Sequence, residues 1–178
     1  ARQELVRLQN GDPWNTEVWR KMVELSRKEF DKIYARLDVT FDYTLGESHY
    51  NSVLKDVVKR LKELGIASES EGAIVVFFED IPELKGQPGL IQKSDGGANY
   101  TTTDLATLEY RIETWKPDEI VYVTDARQQL HFKQLFAIFR RWMPEVNARL
   151  SHVWFGMILG PDNKPFKTRT GENIKLND

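Results

Sequence analysis

The stretch Ile120-Val121-Tyr122-Val123-Thr124-Asp125-Ala126-Arg127-Gln128-Gln129-Leu130-His131 decides the fold. Its first four residues are β-branched or aromatic and read as a buried strand, and the polar residues after Val123 turn the chain into a helix. That helix carries the apolar stripe Leu130, Leu135, Ile138, Phe139 and Trp142 and stops near Pro144, after which Val153 to Leu159 reads as another strand. Upstream the same alternation holds. Leu90-Ile91-Gln92 reads as a short strand, and Leu105, Leu108, Ile112 and Trp115 form a helical stripe ended by Lys116-Pro117. Strand, helix, strand, helix, strand predicts an α/β fold with parallel strands joined by right-handed crossovers. Ligands in such folds sit beyond the carboxyl ends of the strands, so the loops Lys93–Asp104 and Thr124–Gln129 become the candidate site.

Further from that centre, Ala73-Ile74-Val75-Val76-Phe77-Phe78 reads as a strand bounded by acidic residues and Pro82. Tyr50, Val53, Leu54, Val57, Val58, Leu61 and Leu64 repeat at three- and four-residue steps, with Gly65 where a left-handed cap belongs. Val18, Met22, Leu25, Phe30, Ile33 and Leu37 predict an amphipathic helix entered through Asp12-Pro13. Residues 1 to about 70 are expected to form a helical layer packed on the α/β part.

A chain of 178 residues with 40% hydrophobic and 29% charged residues is ordinary globular composition. The formal net charge of −2 gives no global attraction for nucleic acid. Without cysteine there is neither a disulfide nor a thiolate metal site, and no apolar run reaches the roughly 20 residues of a membrane span. His49 and His152 have no partner at metal-ligand spacing, so no metal site is expected.

The run Lys93-Ser94-Asp95-Gly96-Gly97-Ala98-Asn99-Tyr100-Thr101-Thr102-Thr103-Asp104 interrupts apolar sequence and sets Tyr100 and Asp104 four residues apart at the mouth of a helix. A carboxylate there suits a cationic ligand, and a planar guanidinium suits it best, with Tyr100 adding a phenolic hydroxyl. The commoner explanation is a helix capped by Thr102 or Thr103 with Asp104 answering the helix dipole, and Asp95-Gly96-Gly97 alone is a turn. In the second loop Asp125 is placed to cap, and Gln128 and His131 share a helical face. Near the C-terminus Phe166-Lys167-Thr168-Arg169-Thr170-Gly171 offers two cations and two hydroxyls to an anion, although a solvated turn explains it as well. Neither a Walker A sequence nor GxGxxG occurs.

In order along the chain, Leu45-Gly46-Glu47-Ser48-His49-Tyr50-Asn51, Lys93 to Gly97, Thr102-Thr103-Asp104-Leu105, Asp125-Ala126-Arg127-Gln128 and Phe166-Lys167-Thr168-Arg169 resemble the catalytic domain of bacterial arginyl-tRNA synthetase, a class I family. Phe155-Gly156-Met157-Ile158-Leu159-Gly160 leading into Lys164-Pro165-Phe166-Lys167 is the most specific part, and the resemblance covers nearly the whole chain. It implies an α/β fold consisting of the second half of the class I Rossmann-like nucleotide-binding fold (residues 71–178) preceded by a helical or α+β inserted segment (residues 1–70). It further implies a ligase that activates arginine with ATP and Mg2+ as substrate, uses no tightly bound cofactor, and passes arginine to tRNA. Contacts to tRNA would lie mainly outside this chain, and the parent enzyme would be a cytoplasmic monomer with no membrane association.

The resemblance assigns Tyr100, Asp104 and Gln128 to arginine, with Asp104 facing the guanidinium. It assigns His131, Gly156, Met157, Lys167, Thr168, Arg169 and Thr170 to ATP. The Phe166 to Thr170 run corresponds to the family's K-M-S-K-S loop, with Lys167 and Arg169 as the catalytic cations, although the run departs from that consensus by placing Lys167 and Arg169 where the pattern has lysine first and fourth, Arg169 taking the fourth position. The family's H-x-G-H sequence does not occur here, and the chain ends without the helical anticodon-binding domain. An internal portion of a longer synthetase is therefore expected; the alternative is a non-catalytic arginine- or tRNA-associated binding module. The expected outcome for the purified 178-residue chain is no arginine-dependent exchange of pyrophosphate into ATP. Robust exchange would contradict it.

Overall fold

The computed structural model describes residues 2–9, 11–156 and 159. These residues fall into two compact units, one ending at Thr44 and the other starting at Leu45.

The first unit is helical. Helix α1 spans Arg2–Gln9 and α2 spans Pro13–Arg36. Asp12 caps α2 by accepting a 3.0 Å bond from the Asn15 amide, and Pro13 follows at the first helical position, where its missing N–H costs nothing. Ion pairs at helical spacing, Glu24–Lys28 and Glu29–Lys32 among them, line its polar face. The expected apolar stripe is present, but α2 buries none of its residues among those described; Met22 and Leu25 are about two-thirds exposed.

The second unit carries the core. A 3-10 turn at Glu47–Tyr50 leads to α3, Leu54–Glu63. This helix ends as its sequence requires. Gly65 takes φ +69°, its amide bonds Lys62 O, and the Ile66 amide bonds Leu61 O, which satisfies carbonyls that the helix end leaves open. Strands β1 (Ser68–Ser70) and β2 (Ala73–Val76) form an antiparallel hairpin turned through Glu71 and Gly72, both at positive φ. Strand β3 (Gly89–Gln92) adds antiparallel to β2 in the register Val75↔Leu90 and Val76↔Gly89. Gly89 packs tightly against the core, because a Cβ there would stand 3.2 Å from Ile138 Cδ1 and 3.3 Å from Phe78 Cζ and those side chains would have to give way slightly.

Helix α4 (Tyr100–Trp115) closes in a left-handed residue, Lys116, just before Pro117. Strand β4 (Glu119–Asp125), a 3-10 turn at Ala126–Gln128, α5 (Gln129–Trp142) and β5 (Arg149–Phe155) complete the described elements. Strands β4 and β5 pair in parallel from Glu119↔Arg149 to Asp125↔Phe155.

The α/β class with parallel strands holds, and the strand–helix–strand unit β4–α5–β5 is its parallel part. Two details differ. The Leu90 strand belongs to the antiparallel sheet, because its partner is the β1–β2 hairpin and the turns between β2 and β3 hold no crossover helix of the kind parallel pairing needs. The last strand starts at Arg149 rather than Val153 and ends at Phe155. Its opening is polar, yet Arg149 and Ser151 both bind the Glu119 carboxylate, at 2.5 and 2.7 Å.

One core joins α3, β2, β3, α4 and α5 through Leu61, Val76, Ile91, Leu105, Leu108 and Phe139, all fully buried. Within it, Arg60 of α3 forks onto the nearly buried Glu109 of α4, with a 2.7 Å bond from Nη2 to Oε2, and lies 4.9 Å over the Trp142 ring of α5. Removing one partner leaves a charge with little solvent. Arg60→Met is expected to lower unfolding free energy by about 2–3 kcal/mol in urea denaturation, with Arg60→Met/Glu109→Leu recovering most of it. A double variant no more stable than the single one would show that the pair itself supplies the stability.

Candidate functional site

The loop from β3 to α4 is a built turn. Lys93 and Gly97 bond backbone to backbone at 2.9 Å, Gly96 sits at φ +82°, and Asp95 Oδ1 accepts from the Gly97 amide at 2.9 Å. Asn99 then opens α4 in extended conformation. Its side chain donates to Leu90 O at 3.1 Å and its amide to Ile91 O at 3.2 Å, tying the helix start to β3.

Helix α4 therefore begins four residues earlier than a Thr103 cap requires. Neither Thr102 nor Thr103 caps it. The buried Thr102 hydroxyl instead donates to Ile91 O at 2.5 Å, and the first turn holds no acidic residue. Asp104 stands in the second turn, beyond the reach of the free amides that a capping carboxylate serves. The dipole explanation for Asp104 thus loses its footing.

What Asp104 meets is His131. Its Oδ2 lies 2.6 Å from His131 Nε2, and the two side chains are 30% and 20% exposed. An ionised carboxylate only accepts, so Nε2 carries the proton of this bond. No hydrogen bond or ion pair to Asp104 Oδ1 exists among the described residues. Among the described residues, the partly exposed carboxylate keeps an open oxygen.

Tyr100, the first residue of α4, lies one turn before Asp104 on the same helical face, and it is 69% exposed. Gln128 ends the turn after β4 and is the N-terminal neighbour of α5, which His131 joins as its third residue. The structure thus places Tyr100 and Asp104 at the start of α4, and Gln128 and His131 at the start of α5. It brings Asp104 and His131 into contact. Among the described residues no hydrogen bond links Tyr100 or Gln128 to either of them. Asp125 caps as expected, accepting from the Arg127 amide at 2.9 Å, and the Arg127 guanidinium holds its carboxyl down to about 2. Gly156 follows β5 directly and is exposed. Met157, Lys167, Thr168, Arg169 and Thr170 lie outside the described residues.

The surroundings add groups that periodicity concealed. Tyr122, read as one residue of a buried strand, buries its hydroxyl, which meets no full hydrogen-bond geometry among the described residues, with the Arg111 guanidinium as its polar neighbour. Burial above all, then the Asp104 charge, pushes it above its usual range against the opposing pull of Arg111, whose guanidinium lies 5.2 Å from the ring. Its register partner His152 bonds the Thr124 hydroxyl at 2.8 Å and packs 4.3 Å from Phe132, the residue after His131. Burial, then the charge of His131, holds His152 below its ordinary 6.5. Parallel register could have exposed this cluster in the sequence only once β5 was known to start at Arg149.

No three His, Asp or Glu side chains among the described residues converge as a metal group, and no described helix is long and apolar enough to cross a membrane. Two cavities, of about 280 Å3 beside Lys116 and Pro117 and about 410 Å3 beside Lys55 and Lys59, are lined by none of the candidate residues.

Comparison with known proteins shows the family. The family model described as tRNA synthetases class I (R), catalytic domain, matches residues 1–178. An arginine–tRNA ligase of Cyanothece sp. is 47% identical over 182 residues, covering all of this chain and 31% of that protein. One from Escherichia coli is 46% identical over 184 residues, covering all of this chain and 32% of that protein. The chain thus spans about a third of the length of the curated relatives it matches. The crystal structure of arginyl-tRNA synthetase from Plasmodium falciparum superposes with a TM-score of 0.78 at 39% identity, over 88% of this chain and 27% of that one.

The depressed His152 sets a pH dependence. The unfolded chain binds its proton first, so stability is fully present above about 6.5 and is lost as pH falls through the folded value. Thermal melts of wild type and His152→Gln between pH 7.5 and 5 should show a smaller loss in the variant. Equal loss would remove His152 from the account.

Proposed function

The chain belongs to the class I tRNA synthetase (R) catalytic-domain family, and on that premise we propose that it forms the arginine-recognising part of an arginine–tRNA ligase. In the proposed reaction an oxygen of the arginine carboxylate attacks the α-phosphorus of ATP. The bond from that phosphorus to the oxygen of the β-phosphate breaks, pyrophosphate leaves, and arginyl-adenylate remains. A hydroxyl at the tRNA 3′ end then attacks the activated carbonyl and AMP departs. ATP enters with Mg2+ as substrate, and no nucleophile from the protein is required.

The chain's share of the work is positioning and charge. Asp104 takes the guanidinium, a planar fork that matches a carboxylate better than an ammonium does. Tyr100 and Gln128 flank it with a hydroxyl and an amide, fixing the side chain so that the distant carboxylate meets the α-phosphorus in line. Gly156, Met157 and the run Lys167, Thr168, Arg169 and Thr170 are assigned to ATP. Lys167 and Arg169 offset charge on the departing pyrophosphate, an interaction that counts most where charge develops in the transition state. The proposed setting is the cytoplasm, beside tRNA.

The observation that carries this reading is the state of Asp104, a half-buried carboxylate in the second turn of α4 with one oxygen held by His131 and the other open among the described residues. Glu109 on the same helix, by contrast, has both oxygens closed by the Arg60 guanidinium. Calorimetry with arginine on wild-type and Asp104→Asn protein tests it. The substitution keeps size and removes charge, so affinity should fall by about 1.5–3 kcal/mol, roughly 10- to 150-fold. An unchanged affinity would sink the arginine assignment.

A further inference from the structure

The geometry points to His131 as a positioning residue for arginine recognition, acting through Asp104 rather than on ATP. This inference rests on the reading of Asp104 as the guanidinium partner. The two residues sit on different helices, α4 and α5, so their 2.6 Å contact is made by the packing of those helices and not by neighbouring sequence. An aspartate carboxylate turns easily about its last bond, and a bidentate guanidinium demands one plane. Nε2 of His131 occupies one lone-pair site on Oδ2 and fixes that plane. Oδ1 and the second site on Oδ2 stay available, since an ionised carboxylate offers about four such sites.

The imidazole is itself held. It is 20% exposed, its ring meets Phe132 edge-on at 5.1 Å, and Phe132 is buried against Tyr122 and His152. Residues Gln128 and His131 lie on one face at the start of α5, so the helix that carries the proposed amide contact also orients the carboxylate across from it. A site whose main charged group is locked before the ligand arrives spends less binding energy on ordering it.

The test is pyrophosphate exchange by the arginine–tRNA ligase expressed from the reading frame that carries this chain, with KM measured separately for arginine and for ATP. His131→Ala should raise KM for arginine about tenfold and leave KM for ATP unchanged. His131→Gln, whose amide can place a donor near the position of Nε2, should restore most of the loss, which a general packing defect would not allow. In an Asp104→Asn background, His131→Ala should add little, because there is no charged plane left to hold. A rise in KM for ATP with arginine unaffected would overturn the inference in favour of an ATP contact. A fall in KM for arginine would overturn it too, by showing that His131 competes for Asp104. If only the His131 variants are silent the inference fails alone, whereas an unchanged KM in Asp104→Asn removes the arginine site as well.

Discussion

A carboxylate buried in the core, Glu109, is the constraint that the second unit has to satisfy. Glu109 is buried on α4, the helix that touches α3, β3 and α5, and an unpaired carboxylate there would cost several kcal/mol. Arg60 answers it with a fork and at the same time covers Trp142, so one side chain fixes three helices. With the C-terminal half of α4 held this way, Asn99 and Thr102 anchor its other end to the Leu90 and Ile91 carbonyls. Asp104 lies between the two anchors. Its position is therefore set by structure on both sides of it, which is what a recognition carboxylate needs.

Charge is distributed unevenly along that helix. Glu109 is spent on the fold and Asp104 is only half spent, although both are acidic residues on the same element five positions apart. The difference comes from their neighbours. Glu109 meets a guanidinium, which closes both oxygens, and Asp104 meets an imidazole, which closes one. The Asp104 field is felt in the raised Tyr122 hydroxyl, against the opposing pull of Arg111 on the same ring.

Much of this was legible in the sequence, and for physical reasons. The stripe through Leu54, Val57, Val58 and Leu61 with Gly65 after it specified α3 and its left-handed end, and the run at Ile120 followed by polar residues specified β4 and the turn into α5. Strand direction was not legible at Leu90, because a four-residue strand does not encode which neighbour it pairs with; the Ser68–Val76 hairpin decided that. The start of β5 was hidden because Arg149, Ser151 and His152 are polar. Their partners Glu119 and Thr124 lie about thirty residues earlier. At the site, the motif order pointed to Tyr100, Asp104, Gln128 and His131, but the bond between Asp104 and His131 crosses two helices and has no local signature. The helix start at Tyr100 likewise depended on Asn99 reaching back to β3, a contact invisible to spacing.

Arginine recognition by Asp104 is tested most directly by a crystal structure of the protein grown with arginine. The account predicts the guanidinium lying in the plane of the Asp104 carboxylate, with two nitrogen–oxygen distances of about 2.7–2.9 Å, Nε2 of His131 still on Oδ2, and Tyr100 and Gln128 at the flanks. Arginine bound with its guanidinium away from Asp104, or with its carboxylate in that place, would contradict it.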